Sequence, residues 1–186
     1  MKKIGVVLVL TFMMTGLTAS ALFAELGAGV RRHTAPEMVK KGRAALKKGK
    51  LTAAYEWFLK AAKKEDRDAE NMVGKCYEMG IGTIRSENEA VAWYQKSAAQ
   101  HWADGENNLA NVYMHGIGVK PDEHLAFKYY HQAATDGSAA AAYNLGYCYE
   151  NGYGLPKNLD SAKHFYRMAA KKGYSMAVSR LRQIEP

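Results

Sequence analysis

Residues 141–176 read AAYNLGYCYENGYGLPKNLDSAKHFYRMAAKKGYSM, and their reading decides the fold. Ala141, Leu145, Cys148 and Tyr149 recur at three- and four-residue spacing, which marks one apolar face of a helix. Gly152 stops that helix, because glycine accepts the left-handed conformation common just past a helix end. Gly154 then lets the chain turn tightly. Asn158 is a good residue to cap a following helix, since its side-chain oxygen can accept from the first free backbone N–H groups. Ala162, Tyr166 and Ala170 share a face of that second helix, and Gly173 closes it. The stretch is a helix, a glycine turn and a helix.

The same signals return at intervals of 36 residues towards the N-terminus. Gly80, Gly116 and Gly152 keep this spacing, and so do Gly82, Gly118 and Gly154. Tyr77, Tyr113 and Tyr149 keep it too, as do Tyr94, Tyr130 and Tyr166. Ala90, Ala126 and Ala162 follow, with Ala98, Ala134 and Ala170. Six triples in register define repeats over about 69–104, 105–140 and 141–176. Ser86, Asp122 and Asn158 are equivalent caps, and Glu89, three residues after Ser86, predicts a capping box. Gly137 and Gly173 close second helices, while His101 at the equivalent place predicts a less regular end. Upstream, Gly42, Ala54, Phe58 and Ala62 fit the scheme with a shorter turn at Lys48-Gly49-Lys50, which places a first repeat over 36–68. Ala177 and Leu181 match Ala141 and Leu145, so 177–186 are expected to form a capping helix with Arg180, Arg182 and Gln183 on a polar side. The fold class is all-α, a solenoid of stacked helix pairs.

Leu145-Gly146-x-x-Tyr149, the Gly-x-Gly turn, Ala162-x-x-x-Tyr166 and Ala169-Ala170 resemble the Sel-one-like repeat (SLR), a relative of the tetratricopeptide repeat with a longer inter-helix turn. The repeat at 36–68 looks more like a plain tetratricopeptide repeat, and together the likeness covers residues 36–186. It implies a right-handed α-solenoid whose concave face holds a protein or peptide. In related repeats that face comes from fixed positions on the first helices. Carried over by register, these are Arg43 and Lys47, then Asn71, Lys75 and Glu78, then Asn107, Asn111 and His115, then Tyr143, Tyr147 and Asn151. Asn both donates to and accepts from a peptide backbone, and Tyr offers apolar area with a hydroxyl at little entropic cost. Tyr77, Tyr113, Tyr149 and the second-helix tyrosines are expected in the core.

The N-terminus carries a different signal. Lys2 and Lys3 precede an uncharged, mostly apolar run over residues 4–23, and Ala19-Ser20-Ala21 has the small-x-small pattern of a cleavage site. This reads as a secretory signal over 1–21, cut after Ala21 or Ala24, followed by a flexible leader over 22–35. The alternative is an uncleaved anchor, since about 20 apolar residues span a bilayer. Gly16, Thr15, Thr18 and Ser20 soften the run and favour cleavage. The expected location is periplasmic or secreted, with no membrane span after signal removal.

The formal charge of +8 is uneven. Residues 31–68 hold twelve basic and five acidic side chains, and residues 69–186 hold twelve of each. The face of Lys40, Lys41, Arg43, Lys47 and Lys48 can attract an anionic cell-wall polymer or an acidic protein. Export argues against nucleic acid.

Signals for catalysis are weak. The likeness extends to cysteine-rich exported proteins linked to penicillin binding and β-lactamase activity, which would require a Ser-x-x-Lys pair on one helix face. No serine here has a lysine three residues on, and neither Gly-x-Ser-x-Gly nor a phosphate loop occurs. No enzyme activity and no cofactor are expected. His124 and His131 are two helical turns apart, about 10 Å, too far to share an ion, and no His-x-x-x-His or Cys-x-x-Cys occurs, so no metal site is expected. Cys76 and Cys148 sit at equivalent positions with Val112 between them. Packed helices stand about 8–10 Å apart, which puts the two sulfurs beyond bridging range and predicts buried free thiols.

Overall fold

Among residues 33–185, which the computed structural model describes, the chain forms helices and no strand. The apolar run, its cleavage site and residues 22–32 of the leader lie outside the described residues. The helices are α1 (Ala35–Lys47), α2 (Leu51–Ala62), α3 (Arg67–Met79), α4 (Glu87–Ala99) and α5 (Ala103–His115). They continue with α6 (Glu123–Thr135), α7 (Ala139–Asn151), α8 (Leu159–Lys171) and α9 (Ser175–Ile184). The end of the leader is not loose chain. The Thr34 N–H donates to Glu37 Oε2 at 2.8 Å, which starts α1 at Ala35.

Each odd helix packs on the even helix that follows, and each even helix packs on the next odd one. Successive odd helices also touch, α3 with α5 and α5 with α7, whereas no two even helices make comparable contact. The odd helices therefore lie on the tighter, concave side and the even helices on the outer side. The helix pairs begin at Arg67, Ala103 and Ala139, two residues ahead of repeats starting at 69, 105 and 141.

One large ring fills each pair. Phe58, Tyr94 and Tyr166 are buried on α2, α4 and α8, and Tyr130 does the same on α6. Opposite three of them the first helix has no side chain. A Cβ on Gly42 would lie 2.4 Å from the Phe58 ring, one on Gly74 2.6 Å from Tyr94, and one on Gly146 2.8 Å from Tyr166. Ala110 takes this place opposite Tyr130. Burying such a ring contributes about 2–3 kcal/mol. Tyr77, Tyr113 and Tyr149, expected in the core, are only half-buried. They pack against the edge of the core and on aromatic neighbours: Tyr113 stacks on Tyr129 at 5.9 Å, and Tyr149 stacks on Phe165 at 5.5 Å and meets Phe127 edge-on at 5.6 Å.

The turns are built alike. The Ser86, Asp122 and Asn158 N–H groups donate to the carbonyls of Tyr77, Tyr113 and Tyr149 at 3.0, 2.9 and 2.8 Å. Their side chains accept from Glu89, Leu125 and Ser161 N–H groups at 3.3, 2.9 and 2.9 Å. The capping box expected at Ser86 is therefore one-sided, because its own N–H is committed to closing the turn. His101 does not loosen its helix end. It adopts φ of 51°, the left-handed form that Gly137 and Gly173 take at φ of 100° and 83°.

The second turn glycine does more than turn the chain. Gly154 has φ of 71°, and a Cβ there would come within 2.5 Å of the Glu123 carbonyl at the start of α6. Gly82 meets Leu51 at the start of α2 in the same way, at 2.3 Å. These glycines set how closely one repeat sits on the last. Gly173→Ala, with no neighbour within 4 Å, pays only the left-handed penalty of about 1–2 kcal/mol. Its melting temperature should fall by a few degrees. Gly154→Ala adds a backbone collision and should fall at least twice as far in a circular-dichroism melt. Equal losses would contradict this packing role.

Candidate binding face

The concave positions divide into three regions with different chemistry. At the N-terminal end, Arg43 and Lys47 on α1 line a cleft of about 610 Å³ with Pro36, Val39 and Lys40. Asp66 and Asp68 at the start of α3 form the other wall. The Arg43 Nη2 donates to both Asp68 oxygens, at 2.7 and 2.8 Å, so part of the basic face is neutralised within the protein.

The middle of the face is closed. Asn71 and Asn107, expected to meet a ligand, are buried at 1% and 9% exposure. Asn108 Nδ2 donates to Asn71 Oδ1 at 2.7 Å, and Asn144 Nδ2 donates to Asn107 Oδ1 at 3.0 Å. Each amide spans from one first helix to the previous one, so these residues tie repeats together. Glu78 is also engaged, accepting from the buried Tyr94 hydroxyl at 2.5 Å. Burial first, and then this carboxylate, push the Tyr94 phenol far up. Lys75 is half-buried.

The C-terminal end is open. Asn111, His115, Tyr143 and Tyr147 line a cavity of about 200 Å³, together with Met114 and Asn144. Tyr143, Tyr147 and Asn151 also line a neighbouring cavity of about 490 Å³, whose far wall is Ser175, Met176, Ser179, Arg180 and Gln183 of α9. Tyr147 is the exposed ring between the two, at 44%. It rests against Tyr153 at 5.8 Å, and Asn151 Nδ2 donates to the Tyr147 carbonyl at 2.9 Å. Tyr143 is held between Tyr166 at 5.3 Å and Tyr174 at 5.2 Å.

Arg180, on the wall of the larger cavity, belongs to a satisfied polar cluster. Tyr166 donates to Glu150 Oε2 at 2.7 Å, and Arg180 Nε donates to the same oxygen at 3.0 Å, while Arg180 Nη2 pairs with Glu150 Oε1. Arg180 first, and Tyr166 with it, hold the Glu150 carboxyl below the usual range against the opposing effect of burial. In the preceding repeat Met114 stands at the position of Glu150, and Tyr130 donates instead to Asn111 Oδ1 at 2.5 Å. The capping helix is less polar than its arginines imply: Met176 and Val178 are exposed at 51% and 36%. Asn108, Asn144 and Met176 were not among the expected face residues. The recurrence of Asn108 and Asn144 at 36-residue spacing was the available signal.

Cys76 and Cys148 are free and buried, and burial pushes their thiols up to about 11 and about 12. They are packing groups, protonated at neutral pH. No helix among the described residues is long and apolar enough to cross a membrane.

Stacked helix pairs whose first helices form a concave face, closed in the middle and grooved at its C-terminal end, define an α-solenoid of repeats. The Sel1 repeat model matches residues 38–66, 67–101, 103–138 and 139–174, and the chain belongs to the Sel1 repeat family. Sel1 repeats generally mediate protein–protein interaction, and the family is typically non-enzymatic. The chain is similar to a Sel1 repeat protein from Oxalobacter formigenes, with 33% identity over 72% of this chain and 54% of that one and a TM-score of 0.67. It is also similar to c5321, a protective antigen present in uropathogenic Escherichia coli strains, at 27% identity over 89% of this chain and 35% of that one, TM-score 0.72. The chain thus spans about half and about a third of the length of these two relatives. Helicobacter pylori cysteine rich protein B shares the fold at 22% identity, 71% of this chain and 95% of that one, TM-score 0.58. No curated protein matches.

Replacing Asn108 by Ala removes the donor to buried Asn71. A buried polar group left unpaired costs about 1–3 kcal/mol. Urea unfolding of Asn108→Ala should show a loss of that size, and a variant as stable as the parent would refute the tie between repeats.

Proposed function

We propose that this chain is an exported interaction scaffold that holds an extended peptide segment of a partner protein in the C-terminal half of its concave face. One observation carries the reading: two adjoining cavities share Tyr143 and Tyr147, so a single strand of chain lying across Tyr147 contacts both. Asn111, His115 and Asn151 supply donors and acceptors for a peptide backbone. Ser179 and Gln183 serve from the opposite wall, and Met176 offers a soft apolar contact. The smaller cavity suits one apolar side chain of the partner.

The basic cleft is the weaker candidate for an anionic wall polymer, because Asp66 and Asp68 face Arg43 and Lys47 across it. Support for export comes from Lys2, Lys3, the apolar run over 4–23 and Ala19-Ser20-Ala21. The relative described as a protective antigen fits a protein that leaves the cytoplasm.

Selection from a random peptide library tests the groove. The chain should retain peptides of a common pattern, and Tyr147→Ala should weaken them roughly tenfold or more, as truncation of a central aromatic anchor does. Lys47→Glu should leave them unchanged. Binding that survives Tyr147→Ala but collapses with Lys47→Glu and falls steeply with salt would assign recognition to the basic cleft. Export has a separate test. Residues 1–33 fused ahead of a phosphatase that folds only outside the cytoplasm should yield activity, and an inactive fusion made in full amount would refute the signal.

A further inference from the structure

The edge opposite the glycine turns shows a second departure from the repeat. Three equivalent positions meet at each junction between helix pairs: the left-handed residue before a first helix, a residue one turn inside that helix, and the residue just after the following second helix. Before α3 these are Glu65, Glu70 and Gln100. Before α7 they are Gly137, Ala142 and Lys172. Both sets are self-sufficient. Gln100 Nε2 donates to Glu70 Oε2 at 2.7 Å, and Lys172 Nζ donates to the Gly137 carbonyl at 2.8 Å over an apolar Ala142.

The junction before α5 holds His101, Glu106 and Asp136, and it is not self-sufficient. Glu106 is fully buried at 0% exposure, and neither of its carboxylate oxygens has a hydrogen-bond partner. His101 Nδ1 stands 3.5 Å from its Oε1, too far for a hydrogen bond and an ion pair only when that nitrogen carries a proton. Where the preceding junction has the donor Gln100, this one has a second carboxylate, Asp136. A buried carboxylate without donors is costly, and a second negative charge beside it adds to the cost. Among the described residues, His101 is the one group within ion-pair distance of Glu106 that can carry positive charge.

The donor set says which charge fits. Ligand atoms of His101, Glu106 and Asp136 all lie within 4.8 Å of one another. An imidazole with two carboxylates suits a divalent first-row transition ion, Zn²⁺ above all, whereas Ca²⁺ and Mg²⁺ take oxygen ligands. We propose that His101, Glu106 and Asp136 form a divalent transition-metal site that clamps the α4–α5 connection to α5 and to the end of α6. Gln132 Nε2 stands 2.9 Å from His101 Nδ1. That amide donates to the only lone pair of Nδ1, so an ion at this nitrogen takes the place of the Gln132 hydrogen bond. Ligand atoms around a tetrahedral ion stand roughly 3.4 Å apart. The exposed His101 and Asp136 side chains therefore close a short way onto the fixed Glu106. An open cavity of about 490 Å³, lined by His101, Lys128, His131, Gln132 and Asp136, brings solvent to the His101 and Asp136 ligands and leaves room for water to complete the ion's shell. Spacing along the sequence hid the site. Its members come from a helix connection, a helix interior and the end of a different helix, and they match no short ligand motif.

The rival explanation is a proton shared by Glu106 and Asp136. Titration of the chelator-treated full chain with ZnCl₂ separates the two. The metal site requires one ion bound per chain in the micromolar range or tighter, with a rise in melting temperature. His101→Ala and Asp136→Asn should each weaken binding roughly tenfold or more while keeping the parent helicity. Glu106→Gln should stay folded and lose the ion. His164→Ala, an exposed histidine on α8, should bind as the parent does. An absence of stoichiometric binding overturns the proposal. So does binding that survives His101→Ala and Asp136→Asn, or that disappears with His164→Ala. A Glu106→Gln chain more stable than the parent, beside a parent whose melting temperature ignores zinc, establishes the shared proton instead.

Discussion

The rest of the structure depends on one fit, a single aromatic ring per repeat set against a facing helix that has almost no side chain there. Phe58, Tyr94 and Tyr166 lie over Gly42, Gly74 and Gly146, so each helix pair closes to the thickness of one ring. Alanines line much of the remaining contact, including Ala54, Ala90, Ala126 and Ala162, all at 0% exposure. Such a core has little slack, and interiors packed at this density transmit any change of volume to their neighbours. The ring hydroxyls add direction. Each reaches towards the concave side and finds an acceptor there, Glu78, Asn111 or Glu150.

Stacking of the pairs is governed by separate devices at the two sides of each first helix. The second turn glycine brings the turn backbone against the start of the preceding second helix, as Gly154 does at Glu123. The asparagine amides cross from one first helix to the last, Asn108 to Asn71 and Asn144 to Asn107. In a solenoid each repeat touches only its neighbours, so these contacts carry the cohesion of the whole. They also decide where a ligand can lie. Amides spent on holding repeats together leave the middle of the face closed, and the open surface moves to the C-terminal groove around Tyr147.

Departures from the repeat are where individual chemistry appears. Met114 interrupts the Glu78 and Glu150 series and gives its groove an apolar wall. At the opposite edge, Glu106 keeps the buried carboxylate of Glu70 but loses the donor that Gln100 provides. Positions that recur serve packing, and positions that break the recurrence at a buried or open place are free to serve recognition.

The helix pairs, their order and their turn residues were legible in the sequence, because each depends on local properties repeated at fixed spacing. Gly152 needs a left-handed backbone, Asn158 caps the helix that follows it, and Tyr166 falls on an apolar face, whatever lies elsewhere. The buried free state of Cys76 and Cys148 was legible for the same reason, since equal register puts them in equal slots. Side-chain allegiance was not. Asn71 and Asn107 look like ligand-binding amides until the distance to the next repeat shows them paired. His101, Glu106 and Asp136 look unrelated until three segments converge. Period and conformational preference are properties of neighbours along the chain, whereas the partner of a polar group is set by what packing brings beside it, and only the tertiary structure decides that.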